Sequence, residues 1–424
     1  MVSKNSNILE GKKTKAVKIP WQAWYGDKQF ELIFPVHWNV RIARMSDAPS
    51  IGDKEIKKAF SFPIGTKTIK ELAKETKNVL LLVDDLTRPT PAKKVLPFVL
   101  DELRSAGVNK EHISIIMSTG AHRPMHRDDL LKKLGEEIVS CHHIHNHHPF
   151  ENLAYLGVST RGTPIYLNKF FMNADLKIGI GCITPHCNAG FGGGGKIVVP
   201  GVAGIKTLQA NHKPAIIGTT GGLALVEGNE NRADIEEIAK RVGLNLIVNV
   251  VVNSTRGVAG VFVGDIVEAH RKGVELAKKV CSTEVPENMD IGVFNAYPKD
   301  TELSQSANAL NVYSSSTREI IKKGGALILL TASTEGCGHH SLHGLGMRLP
   351  FKIDELPIIR QRVKSRKLVV FSPNLNYADV HVFYSERILF FSEWMKVIKE
   401  LKNCYKNNCE VVVFPNGSIQ LAQN

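Results

Sequence analysis

Short apolar runs that end in polar residues, each followed by a helical pattern, constrain this chain more than any other feature. Asn78–Asp85 reads NVLLLVDD, and VLPFVLDELRSAG after it has helical spacing stopped by Gly107. HISIIMSTGAH then runs into a turn at Gly120, DDLLKKLG follows as a short helix, and DLKIGIGCITPH leads into a glycine-rich segment. Apolar runs delivering polar residues at their carboxyl ends are how buried parallel strands read, and their alternation with helices specifies a doubly wound α/β sheet. Ligands of such sheets bind beyond the carboxyl ends of the strands. Asp85, Arg88, His122 and His186 all fall just past such ends, so one site on that rim is expected.

The alternation covers most of the chain. KIPWQAWYGDKQFELIF at the start is a hairpin signal around Gly26-Asp27. A helix near Ile235–Gly243, the run LNLIVNVVVN and the helix DIVEAHRKGVELAKKV complete a first unit. CSTEVPENMD (281–290) has linker composition. A second alternating stretch follows: IGVFNAYP, a helix expected over Arg318–Lys323, GGALILLTA and LVVFSPN. The expected organisation is an N-terminal α/β domain (1–280) carrying catalytic and cofactor-binding residues, a linker (281–290), and a C-terminal α/β domain (291–424) contributing substrate contacts. Both sheets are expected to be mostly parallel and doubly wound, with the active site in the cleft between them.

Composition narrows the class. A chain of 424 residues with 43% apolar and 22% charged residues is expected to be a soluble globular protein of more than one domain. The formal charge of +13 suits an anionic small-molecule substrate, but the lysines are scattered singly or in pairs and form no nucleic-acid tract. Seven cysteines without a CxxC pair point to a reducing compartment. The polar start MVSKNSNILEGKKTKAVKIP has no apolar signal core, and no apolar stretch reaches bilayer length, so a cytoplasmic location is expected.

The segment CITPHCNAGFGGGGKIVVPGVAGIKTLQANH places His186, four glycines (Gly192, Gly193, Gly194, Gly195), Lys196 and His212 close together. Consecutive glycines are costly in backbone entropy, and such a run suggests backbone lying close to a ligand. Lys196 offers a nucleophilic amine, and the histidines offer proton transfer or metal ligation. Gly190–Lys196 also fits part of a phosphate-binding P-loop. Ile197 lacks the magnesium-binding hydroxyl, and Val-Val-Pro-Gly is a poor helix start, which counts against a P-loop-type phosphotransferase. Cys182 and Cys187 lack zinc-site spacing and read as buried inert thiols. The tract CHHIHNHHPFENL (His142 to His148) lacks the acids and cysteines of a metal shell and reads as a polar loop, and GCGHHSLHG reads as a mobile loop near the cleft.

Taken in order, DDLTRPTP, STGAHRP, LGVSTRGTPIYLN with DLKIGIG, and PHCNAGFGGGGKIVVPG resemble the nickel-pincer lactate racemase family and its 2-hydroxyacid racemase and epimerase relatives, nearly end to end. The resemblance implies two α/β domains, an isomerase activity and a nickel-pincer nucleotide (pyridinium-3,5-bisthiocarboxylic acid mononucleotide nickel) made by separate cofactor-biosynthesis proteins. It implies that Lys196 binds this cofactor covalently, that His212 ligates the nickel, and that His122 and His186 are the catalytic histidines. It assigns Asp85 and Arg88 to supporting the substrate and the catalytic imidazole, and Gln305 to contacting the substrate from the second domain. Hydride would pass from the substrate C2 to the pyridinium and back to either face. Two departures stand out: Ser304 replaces an expected aromatic residue, and Asn308 replaces an expected substrate-binding lysine. A substrate larger or more hydroxylated than lactate is therefore expected, such as a sugar acid. The other readings are lactate racemase activity itself and a homologue that binds nickel or an anion without turnover.

Overall fold

The computed structural model describes residues 14–216, 222–343, 352–355, 357–405 and 408–424. Residues 1–13 of the polar N-terminal stretch on which the no-signal expectation rests, and Gly344 of the second histidine tract, lie outside the described residues. In chain order the strands are β1 (Thr14–Trp21), β2 (Lys28–Pro35), β3 (Asn39–Ile42), β4 (Val79–Asp84), β5 (Ile113–Ser118) and β6 (His143–Asn146). They continue with β7 (Leu153–Val158), β8 (Pro164–Asn168), β9 (Leu176–Cys182), β10 (Pro185–His186), β11 (Gly190–Phe191), β12 (Leu246–Val252) and β13 (Val258–Gly264). The last are β14 (Ser282–Thr283), β15 (Met289–Asn295), β16 (Ile321–Leu330), β17 (Lys367–Phe371), β18 (Leu389–Phe391), β19 (Glu410–Phe414) and β20 (Leu421–Ala422).

The first six-stranded sheet has the order β13-β12-β9-β4-β5-β6. Every neighbouring pair is parallel except β12 with β13. Strand β4 comes first in the chain, so winding runs outward through β5 and β6 and then reverses to β9 and β12. The crevice beyond β4 and β9 is the point where a doubly wound sheet binds its ligand. β4 and β9 are buried along their whole length. Helices cover both faces: Ala92–Ser105 buries Val95, Leu96, Val99 and Leu103, a three-to-four-residue stripe, and Glu268–Cys281 buries Val274, Ala277 and Cys281.

The second sheet, β18-β17-β16-β15-β19-β3, is parallel throughout. Its edge strand β3 comes from the N-terminal region, with Val40 opposite Val411. The β1–β2 hairpin packs on the same sheet: Trp21, Phe34 and Trp38 share a buried cluster with Ile291, Val293 and Phe371. Residues 14–42 thus belong with the second sheet, although the expected boundary put them in the first unit. Segment 281–290 is not a free tether, because β14 pairs with β20. The helix expected over Arg318–Lys323 is absent, since β16 begins at Ile321. Ile320 and Ile321 are fully buried, and a β-branched pair between exposed charged residues, Arg318 and Glu319 before it and Lys322 and Lys323 after it, reads as a strand start better than as one helical turn. The helical turns lie upstream, at Leu303–Leu310 and Asn311–Ser315.

The first histidine tract forms the edge strand β6 rather than a loop, and no metal-binding group of three or more His, Cys, Asp or Glu occurs among the described residues. Its His147 is 1% exposed, bonds through Nε2 to the carbonyl of Ala203 at 2.9 Å, and accepts from Asn168 Nδ2 at 3.2 Å. Burial lowers its pKa from 6.5 to about 4. The unfolded chain therefore binds a proton here between those values and the folded chain does not. Stability from this residue is complete above about pH 6.5 and drains away toward pH 4, a change of about 3 kcal/mol. Thermal melts across that range should show the acid-side fall, and His147→Gln should flatten it.

Candidate active site

Two adjacent carboxylates leave β4 and do different work. Asp84 is structural: its Oδ1 lies 2.7 Å from Nζ of Lys133, and its Oδ2 accepts from Thr90 Oγ1 at 2.5 Å. Lys133 is fully buried and also donates to the carbonyls of Asp85 and Arg88, at 2.8 and 3.0 Å, which fixes the turn after β4. Asp85 faces the cavity. Its Oδ2 is 2.7 Å from His122 Nδ1, and its Oδ1 accepts from the Thr87 amide at 2.9 Å and the Thr87 hydroxyl at 2.5 Å. Burial alone would raise its pKa, but His122, Arg88 and Thr87 together hold it well below the usual carboxylate range.

An ionised carboxylate on Nδ1 keeps the neutral His122 proton there and leaves Nε2 bare. That Nε2 faces the amide of Gln305 at 3.5 Å. Arg88 Nη1 donates to Thr87 Oγ1 at 2.9 Å and to Gln305 Oε1 at 3.3 Å, so Gln305 from the second unit meets Arg88 and His122 from the first. Asn308 Nδ2 donates to the Gln305 carbonyl at 2.8 Å, which places it behind the glutamine. The Ser304 hydroxyl bonds to the buried carboxyl of Glu302.

His186 has the opposite tautomer. It lies on the two-residue ribbon β10–β11, paired with Gly190, and its Nδ1 accepts the amide N–H groups of Asn188 and Ala189 at 3.2 and 3.3 Å. The neutral ring therefore carries its proton on Nε2. Burial first, then the positive charges of Lys196, Arg88 and Lys299, pull its pKa well below 6.5. Lys299 from the second unit donates to the carbonyl of Pro185 at 3.0 Å and anchors this ribbon.

The glycine segment turns through a short 3₁₀ helix, Gly194–Ile197, that delivers Lys196 into the cavity, where it is 9% exposed. Burial, with Arg232 and Arg88 nearby, lowers its pKa well below the lysine value and favours the neutral, nucleophilic amine. His212, on the helix Ile205–Ile216, bonds through Nδ1 to the carbonyl of Leu208 at 2.9 Å, leaving Nε2 a free lone pair. Its pKa is lowered by burial to about 4.

The cavity is lined by Asp85, Arg88, Ser118, Gly120, His122, Gly192, Gly193, Lys196, Pro200 and Asn249 among others. Gly192 and Gly193 thus line it, whereas Gly194 and Gly195 do not. A Cβ on Gly194 (φ +61°) would sit 3.1 Å from the His270 ring, and one on Gly195 would sit 2.9 Å from Ala239 Cβ. Those two glycines, expected at the cofactor, instead let the segment pack on two helices. Cys182 is buried as expected, but Cys187 is exposed.

Several residues of the site were not anticipated. Arg232 holds the carbonyls of Ala189 and Gly193 at 3.1 Å each and also that of Phe191, His270 holds that of Gly192 at 2.9 Å, and Asn249 accepts the Gly194 amide at 2.7 Å. Only Asn249 left a trace in the sequence, as a polar residue inside the apolar run LNLIVNVVVN. Arg232→Met should destabilise the protein by about 3–5 kcal/mol in denaturant melts, because three buried carbonyls lose a charged donor, those of Ala189 and Gly193 keeping only a backbone N–H.

A buried Asp–His pair and a buried lysine of lowered pKa lie at the switch point of a doubly wound sheet, with a histidine of free Nε2 within electrostatic range of both, an arrangement suited to acid–base chemistry in an α/β enzyme. Residues 25–221 match the lactate racemase N-terminal domain family. The chain is 27% identical over 385 residues to the lactate racemase of Thermoanaerobacterium thermosaccharolyticum, covering 85% of this chain and 88% of that one. It is 31% identical over 290 residues to the lactate racemase of Lactiplantibacillus plantarum, covering 67% of this chain and 66% of that one. Its fold is similar to the lactate racemase apoprotein from T. thermosaccharolyticum, with TM-score 0.78 and 25% identity over 97% of this chain and 100% of that one. A protein from Thermotoga maritima shares the fold at TM-score 0.66 and 17% identity, over 89% of this chain and 99% of that one. The chain belongs to the lactate racemase family and is an enzyme of the isomerase class. No helix among the described residues is long and apolar enough to cross a membrane.

Proposed function

We propose that this enzyme inverts the C2 stereocentre of a 2-hydroxy acid larger than lactate, such as a sugar acid, with a nickel-pincer nucleotide covalently bound at Lys196. The observation that carries the reading is the 2.7 Å Asp85–His122 pair, whose bare Nε2 serves the same cavity as the buried amine of Lys196. The residues present fit such a cofactor. Lys196 is a nucleophilic neutral amine, and a histidine whose Nδ1 is committed to a carbonyl is the arrangement metal-ligating imidazoles use, so His212 would hold nickel through Nε2. Gly192 and Gly193 would lie along it. When bound, the cofactor supplies a hydride acceptor that can return hydride to either face of a planar 2-keto acid.

The chain's own residues handle the proton. His122 Nε2 takes it from the substrate hydroxyl, and Asp85 steadies the imidazolium that forms. His186 carries its proton on Nε2 and donates a hydrogen bond to the same oxygen, so the two histidines act unequally in the resting state. Arg88 supplies positive charge for the carboxylate and Gln305 a neutral contact. Ser304 and Asn308 put neither an aromatic ring nor a cation at their own two positions, which supports a longer or more hydroxylated substrate. The enzyme would work in the cytoplasm after loading by cofactor-biosynthesis proteins, with neither nucleic acid nor membrane as a partner.

A phosphotransferase reading is disfavoured because Lys196 sits inside a 3₁₀ turn rather than ahead of an α-helix N-terminus, and burial lowers its pKa well below the lysine value. A mere binder has no use for an Asp-oriented imidazole. Chiral assay of loaded enzyme on lactate and on longer 2-hydroxy acids tests the proposal. At least one longer acid should exceed lactate in kcat/KM. Equal or faster racemisation of lactate would make this a lactate racemase proper, and inactivity on the whole panel would remove the racemase reading.

A further inference from the structure

The loop after β16 crosses from the second unit to the site. The Ser341 amide donates to the Ala121 carbonyl at 2.7 Å, and His340 forms an isolated antiparallel bridge with His122. Leu342, 1% exposed, packs with Ala121 and with Leu208 of the helix that carries His212. The His340 ring stands edge-on to His122, with centroids 5.4 Å apart and planes at 65°. The Leu342 amide donates to His340 Nδ1 at 3.3 Å, so the neutral ring has its proton on Nε2. That N–H has no partner among the described residues, although His340 is largely covered. Burial, with His122, His343, His212 and Arg88 around it, keeps the ring neutral.

We propose that His340 is a substrate-binding residue of this site, whose Nε2–H donates to a carboxylate oxygen of the 2-hydroxy acid. A carboxylate is acceptor-only, and Arg88 alone cannot satisfy it. The position where a lysine was expected holds Asn308, whose amide is turned to Gln305. His340 supplies the missing donor from another loop, without adding a charge. The inference rests on the 2-hydroxy acid reading, and two experiments separate their failures.

In apoprotein labelled with 15N-histidine, the His340 Nε2 resonance should be that of a protonated nitrogen and should shift on titration with gluconate or lactate. A bare Nε2, or a signal that neither acid moves, overturns the proposal whatever the enzyme's activity. In loaded enzyme, His340→Ala should raise KM at least tenfold with a smaller fall in kcat, and His340→Gln, which keeps a donor, should recover most of the loss. An unchanged KM in His340→Ala, or equal damage in both variants confined to kcat, overturns it. Wild-type enzyme that binds these acids through His340 but racemises none would sink the racemase reading and leave this one standing.

Discussion

Replacing His122 with alanine is expected to lower kcat by about 10²–10⁴-fold, the span of a lost general base, while the adduct proposed on Lys196 survives. The survival follows from geometry: the cofactor-side groups, Lys196 and His212, are held by their own backbone contacts and not by His122. Asp85→Asn should approach the same loss, because an amide in place of Oδ2 can present an N–H to Nδ1 and favour the wrong tautomer. His186→Ala should cost less, since the ring donates a hydrogen bond and its Nδ1 is already taken by two amides. His186→Gln should recover part of that loss by restoring an N–H. Steady-state kinetics in both directions, with intact mass on each variant, measure these outcomes. Equal losses for the two histidines would show that His186 exchanges its proton as His122 does.

Lys196→Ala and Lys196→Arg are both expected to abolish the adduct and reduce racemisation to background. Arginine is the informative one: it holds a cation at this position but offers no nucleophile. If charge alone mattered, Lys196→Arg would retain activity. Burial beside Arg232 and Arg88 lowers the Lys196 pKa, so Arg232→Met should also slow loading, separately from its effect on stability. Nickel content per chain and the mass of the peptide carrying residue 196 read both effects.

Much of the site was legible because strand ends are. Runs such as NVLLLVDD and HISIIMSTGAH state where a parallel strand stops, and the topology then carries Asp85 and His122 to one crevice, with His186 within electrostatic range of its Arg88 and Lys196. The division between Asp84 and Asp85 was not legible, since it depends on which carboxylate Lys133 reaches from 48 residues downstream of Asp85. Nor were the tautomers: the amides of Asn188 and Ala189 decide one ring, and a carboxylate 37 residues away decides the other. The placement of β3 beside β19 is a pairing across most of the chain, which no local pattern encodes. Arg318–Lys323 misled because two isoleucines among lysines fit a helix face as readily as a strand start. His340 lay in a tract read only as a loop, and its role depends on the bridge to His122.

The most direct test is the intact mass and metal content of protein purified from its native host. Covalent modification at Lys196, with nickel and sulfur in the same peptide, is the predicted result. Native protein that is unmodified at Lys196 and free of nickel would contradict it.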